Sequence, residues 1–331
     1  MVSISCFNRK RRFCVNLVAS VATLALAGCA MTGAGTAGDA AAQRELLQPW
    51  IELTGASLGA PLGLPGFAGS GAAGYVALRQ PTAISARGND VYLVDAGLHR
   101  IFRYDRARQT LAPFTSLAAD AGMSVYAAPD LSVYVADPAR NQVLHFAWDG
   151  APLPPLNSPG NLGRPISVIM DEGRGQLLVA DGLYAQIIAF NSLGRPLSVI
   201  KPQRVRALAA MAQGPDGIYV VDRLARQVVV LGQDGAFRYA FGADSLADPG
   251  AIAVNRDNFV FVGDNFDQTV KVYRSGRLVA RVGGVGVAPG RFNGVAGLAV
   301  DGGMLYVADS LNARVQIMLI TPQAPDTGKG K

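Results

Sequence analysis

Aspartates stand at Asp95, Asp137, Asp181, Asp222, Asp264 and Asp309, separated by 42, 44, 41, 42 and 45 residues. Carboxylates serve general acid–base catalysis, and they hold hard cations when several oxygens converge on one point. Recurrence at a near-fixed interval argues against both uses, because a catalytic group is needed once. A carboxylate that closes a strand accepts hydrogen bonds from the amides of the following loop, as in an Asx turn. That fold-supporting role is expected of all six. The remaining chemical inventory is sparse. Histidine occurs only at His99, in a loop, and His145, within a strand, too few for a three-histidine zinc site. Glutamate occurs only at Glu45, Glu52 and Glu172, and none begins a strand destined for the centre of the molecule. The one Gly-x-Ser-x-Gly match, Gly55-Ala56-Ser57-Leu58-Gly59, leads into no helical pattern, so the strand-to-helix turn that raises a nucleophile is not expected. Neither a metal nor a cofactor is expected.

The same interval governs the elements that carry these residues. Each aspartate ends an apolar run, such as Val91-Tyr92-Leu93-Val94-Asp95 or Ile218-Tyr219-Val220-Val221-Asp222. Six residues beyond it stands Ile101, Val143, Ile187, Val228, Val270 or Val315. Runs this short, rich in β-branched and aromatic residues and broken by Gly, Asp, Asn and Pro, read as strands. Four strands in about 42 residues make one propeller blade, and six such copies close into a ring. The fold class is therefore all-β: a six-bladed β-propeller of four-stranded antiparallel blades, one domain over residues 49–320. After Met318 the chain runs into Thr321-Pro322-Gln323-Ala324-Pro325, which cannot supply the last outer strand. Residues 49–54 are expected to pair onto the sixth blade, close the ring and cover its edge. Trp50 is expected to bury against that blade, and Trp148 to pack between blades. The innermost strands, such as Ala83-Ile84-Ser85-Ala86 and Ala207-Leu208-Ala209-Ala210, would line the central channel with small apolar side chains.

The sixth copy, Phe292-Asn293-Gly294-Val295-Ala296-Gly297-Leu298-Ala299-Val300-Asp301 followed by Leu305-Tyr306-Val307-Ala308-Asp309-Ser310-Leu311-Asn312-Ala313-Arg314, resembles an NHL repeat. The resemblance runs unevenly over residues 75–320. The third copy has Leu183-Tyr184-Ala185-Gln186 in its loop, and the fifth places Gly263 before its aspartate. Marks of a WD40 repeat do not recur with this period. Lactonases related to regucalcin and paraoxonase also resemble the architecture, and they hold a divalent cation with Glu, Asn and Asp. Amidating lyases of the NHL-like group use histidine-ligated zinc. The glutamates and histidines of this chain match neither pattern. The resemblance therefore implies a binding or scaffold module, with a propeller hydrolase or lyase as the alternative.

The chain has 331 residues, 50% hydrophobic and 16% charged, and a formal net charge of +6. The apolar share excludes a disordered chain. Arg9, Lys10, Arg11 and Arg12 lie in the first 28 residues, which hold no acid; without them 26 basic groups face 24 acidic ones. A nucleic-acid partner is therefore not expected. The cationic segment precedes an apolar run from Phe13 to Leu26, which reads as an export leader over residues 1–28. Leu26-Ala27-Gly28-Cys29 resembles the lipobox of bacterial lipoproteins, and the resemblance implies cleavage before Cys29 and acylation of its thiol. Residues 29–48 are expected to form a lipidated flexible tether and residues 321–331 a disordered tail. Ala30 after the cysteine resembles outer-membrane sorting in enteric bacteria, so the module is expected in the envelope, facing the periplasm.

In a four-stranded blade, the loops entering the first strand and those joining the second to the third lie at one end. That end carries ten arginines against Asp244, Asp248 and Asp267, once the repeated aspartates are satisfied internally, while the opposite loops are net acidic. Arginine forms bidentate contacts with carboxylates and is enriched at interfaces. Arg79, Arg164, Arg206, Arg223, Arg291 and Arg314 are the candidate binding residues. The expected partner is a protein, a peptide or an anionic glycan, met by a monomeric propeller.

Overall fold

The computed structural model describes residues 46–58, 74–156 and 162–321. Their strands form six sheets. The innermost strands are Pro81–Arg87, Ser124–Ala127, Pro165–Asp171, Leu208–Gly214, Pro249–Val254 and Val295–Asp301. Each is followed by the second strand of its blade: Asp90–Asp95, Val133–Asp137, Gln176–Asp181, Gly217–Asp222, Phe259–Asp264 and Met304–Asp309. Every second strand thus ends on a repeated aspartate. Third and outer strands complete antiparallel sheets, and the molecule is an all-β, six-bladed propeller. The leader, Cys29, the tether as far as Glu45 and the tail from Pro322 lie outside the described residues.

The apolar side chains gather between neighbouring sheets rather than in one central core. Ala83, Tyr92, Phe114, Val125, Val133 and Phe146, for example, pack between the first blade and the second. Both faces of each sheet are therefore buried, which is why the second and third strands read as continuous hydrophobic runs instead of alternating ones.

Ring closure comes from Leu47–Leu53, which pairs antiparallel to Arg314–Ile320 as the outer strand of the sixth blade. Folded structure begins earlier than residue 49, because Leu46 and Leu47 bury against the core between the fifth and sixth blades. Trp50, however, is 52% exposed. A register shift between Pro49 and Ile51 breaks the alternation, so Leu47 and Leu53 turn inward and the residues between them face solvent. Trp148 is likewise half exposed, and the Arg103 guanidinium lies 5.5 Å from its ring centroid.

The first blade departs from the four-stranded plan. Gly55–Leu58 adds parallel to the outer strand Thr110–Pro113, and Tyr75–Ala77 adds outside it, giving six strands. Gly55 permits this close pairing, since a Cβ there would stand 2.2 Å from the Val76 carbonyl oxygen.

Candidate functional site

All six repeated aspartates are fully buried at 0% exposure. Asp95 accepts the amides of Arg79 at 2.8 Å, Gln80 at 3.0 Å and Leu98 at 2.9 Å. One carboxylate thereby ties the loop entering the innermost strand to the loop leaving the second. Asp181, Asp222 and Asp264 repeat this bridge. Asp309 accepts the Asn293 amide and, on its other side, the side chains of Asn312, Arg314 and Gln316. A register shift opposite the aspartate, as between Pro81 and Ala83, accompanies the bridge in each of these blades. The second blade has a shorter innermost strand with no such shift. There Asp137 takes the amides of Ala139 and Arg140 and pairs with the Arg140 guanidinium at 2.7 Å.

These bridges position the arginine face. Arg79, Arg164 and Arg206 each give a backbone amide to their buried aspartate and leave the side chain exposed. Arg223 is exposed and forms a bidentate pair with Asp248, Nε to Oδ1 at 2.6 Å and Nη2 to Oδ2 at 3.0 Å. Arg291 is exposed, and its Nη1 donates to the Gly283 carbonyl at 2.9 Å. Arg314 lies apart from this surface. It is 5% exposed, and its guanidinium donates to Asp309, Glu52 and the carbonyls of Val287, Ala288 and Arg291. It locks the closing strand to the loop entering the sixth blade, with no donor turned to a partner. Lys201 and Asp120 also belong to the loops of this face, one of each sign, and leave its charge balance unchanged.

The same loops carry a feature that charge placement overlooks. The second position after the aspartate is Gly97, Ala139, Leu183, Leu224, Phe266 or Leu311 in successive blades, and the last four are exposed. Reading the repeat down that column would have found them.

The channel on the axis has a volume of about 1270 Å³ and is walled by all six innermost strands. Ala83, Ile84, Val125, Ile252, Ala253 and Leu298 are among its lining residues. Arg223 borders it at the arginine face, and further charged residues rim the opposite end. There the Arg87 guanidinium stands 3.5 Å from Glu172, and Asp301 accepts the Gly88 amide at 2.9 Å. Neither histidine lines the channel. His99 sits in an exposed loop with Nδ1 3.2 Å from the Ala119 carbonyl oxygen. His145 stacks on Tyr134 with ring centroids 4.3 Å apart, and burial lowers its pKa. Among the described residues no three metal-ligating side chains converge.

No protein-family profile and no curated relative matches this chain. Solved structures match it at the level of fold. A Bacteroides thetaiotaomicron protein of unknown function is 16% identical, with a TM-score of 0.62 over 81% of this chain and 76% of its own. A streptogramin B lyase is 11% identical, with a TM-score of 0.57 over 81% of this chain and 97% of its own. The virginiamycin B lyase of Staphylococcus aureus is 12% identical, with a TM-score of 0.56 over 73% of this chain and 95% of its own.

Proposed function

We propose that this propeller, of the NHL type, is a lipid-tethered binding or scaffold module of the bacterial envelope. Acylation of Cys29 would hold it to the membrane, at the outer membrane and facing the periplasm. Its arginine-bearing face docks a partner that presents carboxylates. The observation that carries this reading is the exposure of Arg79, Arg164, Arg206, Arg223 and Arg291 on one end of the ring. The backbones of Arg79, Arg164 and Arg206 are tied to buried aspartates, which fixes where their side chains leave the surface.

Two fold neighbours are lyases, which favours a lyase as the second reading. A histidine-to-alanine form of the S. aureus lyase is catalytically inactive. The channel of this chain has no histidine among its described lining residues, which supports the binding reading.

The test is capture of envelope proteins by the full chain in detergent, with and without Arg164→Glu and Arg206→Glu together. The expected result is at least about a tenfold loss of every specifically retained partner. Undiminished capture would exclude this face. Cys29→Ser is expected to release the chain from the membrane fraction, and continued membrane association would refute the lipid tether.

A further inference from the structure

Single exposed apolar side chains are ordinary on a protein surface, whereas a contiguous set marks an interaction site. Leu183, Leu224, Phe266 and Leu311 occupy one repeat position in four successive blades and are 60%, 67%, 77% and 64% exposed. Val285 and Val287, in the loop entering the sixth blade, are 72% and 75% exposed. Hydrogen bonds tie three of these loops together. The Gly284 amide donates to the Gln268 carbonyl at 2.7 Å, and Asn312 Nδ2 donates to the Gly286 carbonyl at 2.9 Å. Phe266, Val285, Val287 and Leu311 thus belong to one braced cluster across the fifth and sixth blades. The loop entering the sixth blade carries Arg291 beside them, and apolar groups set with arginine are the composition of an interface core.

We propose that this arc receives the apolar side chains of an amphipathic, acidic segment of a partner protein. The inference rests on the docking face proposed above and adds the chemistry of its occupant. A second copy is disfavoured, because a two-fold contact would set one arginine-rich face against another. A bilayer is disfavoured by topology. Leu47 pairs with Ile320, at the end of the sixth blade away from the loop of Leu311, so the chain from a lipidated Cys29 enters the ring from the opposite side. A partner bearing both carboxylates and apolar groups complements both features of the face.

Fluorescence anisotropy with three labelled synthetic peptides tests this on the full chain in detergent: one of leucine and glutamate, one of leucine and lysine, one of serine and glutamate. The leucine–glutamate peptide should bind at least about tenfold more tightly than either control. Phe266→Ser with Leu311→Ser should erase that advantage at an unchanged melting temperature. Equal binding of the two glutamate peptides, both dependent on Arg164 and Arg206, would overturn the apolar arc and leave the acidic docking face standing. Binding that ignores the arginines would overturn the face itself. Sedimentation of a dimer, or binding of the Cys29→Ser chain to phosphatidylglycerol vesicles, that depends on Phe266 and Leu311 would assign the arc to another occupant and overturn the proposal.

Discussion

Lys271 is 2% exposed, in the third strand of the fifth blade, at a position where the first four blades place Phe102, Leu144, Ile188 and Val229. A buried ammonium is tolerated only when paired and hydrogen-bonded. Here Nζ lies 2.5 Å from Asp264 and 3.0 Å from Asp267. Burial alone would raise the Asp264 carboxyl, but Lys271 and the amides of Ala247, Asp248 and Phe266 outweigh it and hold the pKa below the usual range. Removing one member of a buried pair leaves the other uncompensated, so Lys271→Met should cost about 3–5 kcal/mol in chemical denaturation. An unchanged midpoint would show that the amides suffice for Asp264. His145 gives a pH dependence of different origin. Burial lowers its pKa from the ordinary 6.5, partly offset by a hydrogen bond to the Pro154 backbone, and its Nε2 is buried without a partner among the described residues. Above pH 6.5 the ring is neutral in the folded and unfolded chain alike. As the pH falls through that value the unfolded chain takes up the proton first, so stability declines. Replacing His145 with Phe, which keeps an aromatic ring against Tyr134, should remove this part of the decline in thermal unfolding scans between pH 7 and pH 5.

At the scale of the element, the closing strand holds the ring through its two ends. Leu47 is 2% exposed and Trp50 is 52% exposed. Leu47→Ala should therefore cost about 2–5 kcal/mol, and Trp50→Ala no more than about 0.5 kcal/mol. Calorimetry that ranks the two in the opposite order would contradict the burial pattern of this strand. Such a pattern was only partly legible in the sequence. The blades could be counted because Asp and β-branched residues recur at matching positions, each copy meeting the same neighbours. The closing strand belongs to no copy, and the register shift at Pro49 that exposes Trp50 has no sequence signature. The added strands Gly55–Leu58 and Tyr75–Ala77 are too short to show an alternation, and their pairing follows from the path of the chain after ring closure. Arg314 illustrates the same limit among candidate site residues. Its loop resembles those of Arg140 and Arg226, but its guanidinium is enclosed by the carbonyls of the loop entering the sixth blade and by Glu52, 262 residues away.

For the whole molecule, the arrangement of cores makes the ring's continuity a matter of one seam. Each apolar cluster joins neighbouring sheets, and the cluster between the sixth and first blades includes Leu53 and Ala56 from the N-terminal segment. The cluster between the fifth and sixth blades includes Leu46 and Leu47. Deleting residues 46–56 would remove apolar side chains from both clusters and leave Arg314–Ile320 as an uncovered edge. It would also take Glu52 from Arg314, leaving a buried guanidinium short of one acceptor. The clusters on the far side, between the second and third blades and between the third and fourth, receive nothing from this segment. Loss of protection should therefore be graded around the ring. Hydrogen exchange of the deletion variant should quicken most in Val295–Asp301, Met304–Asp309 and Arg314–Ile320, next in Pro81–Arg87, and least in Gln176–Asp181 and Gly217–Asp222. Uniform acceleration in all six blades would instead mean that the ring opens only by global unfolding, with the seam no weaker than any other junction.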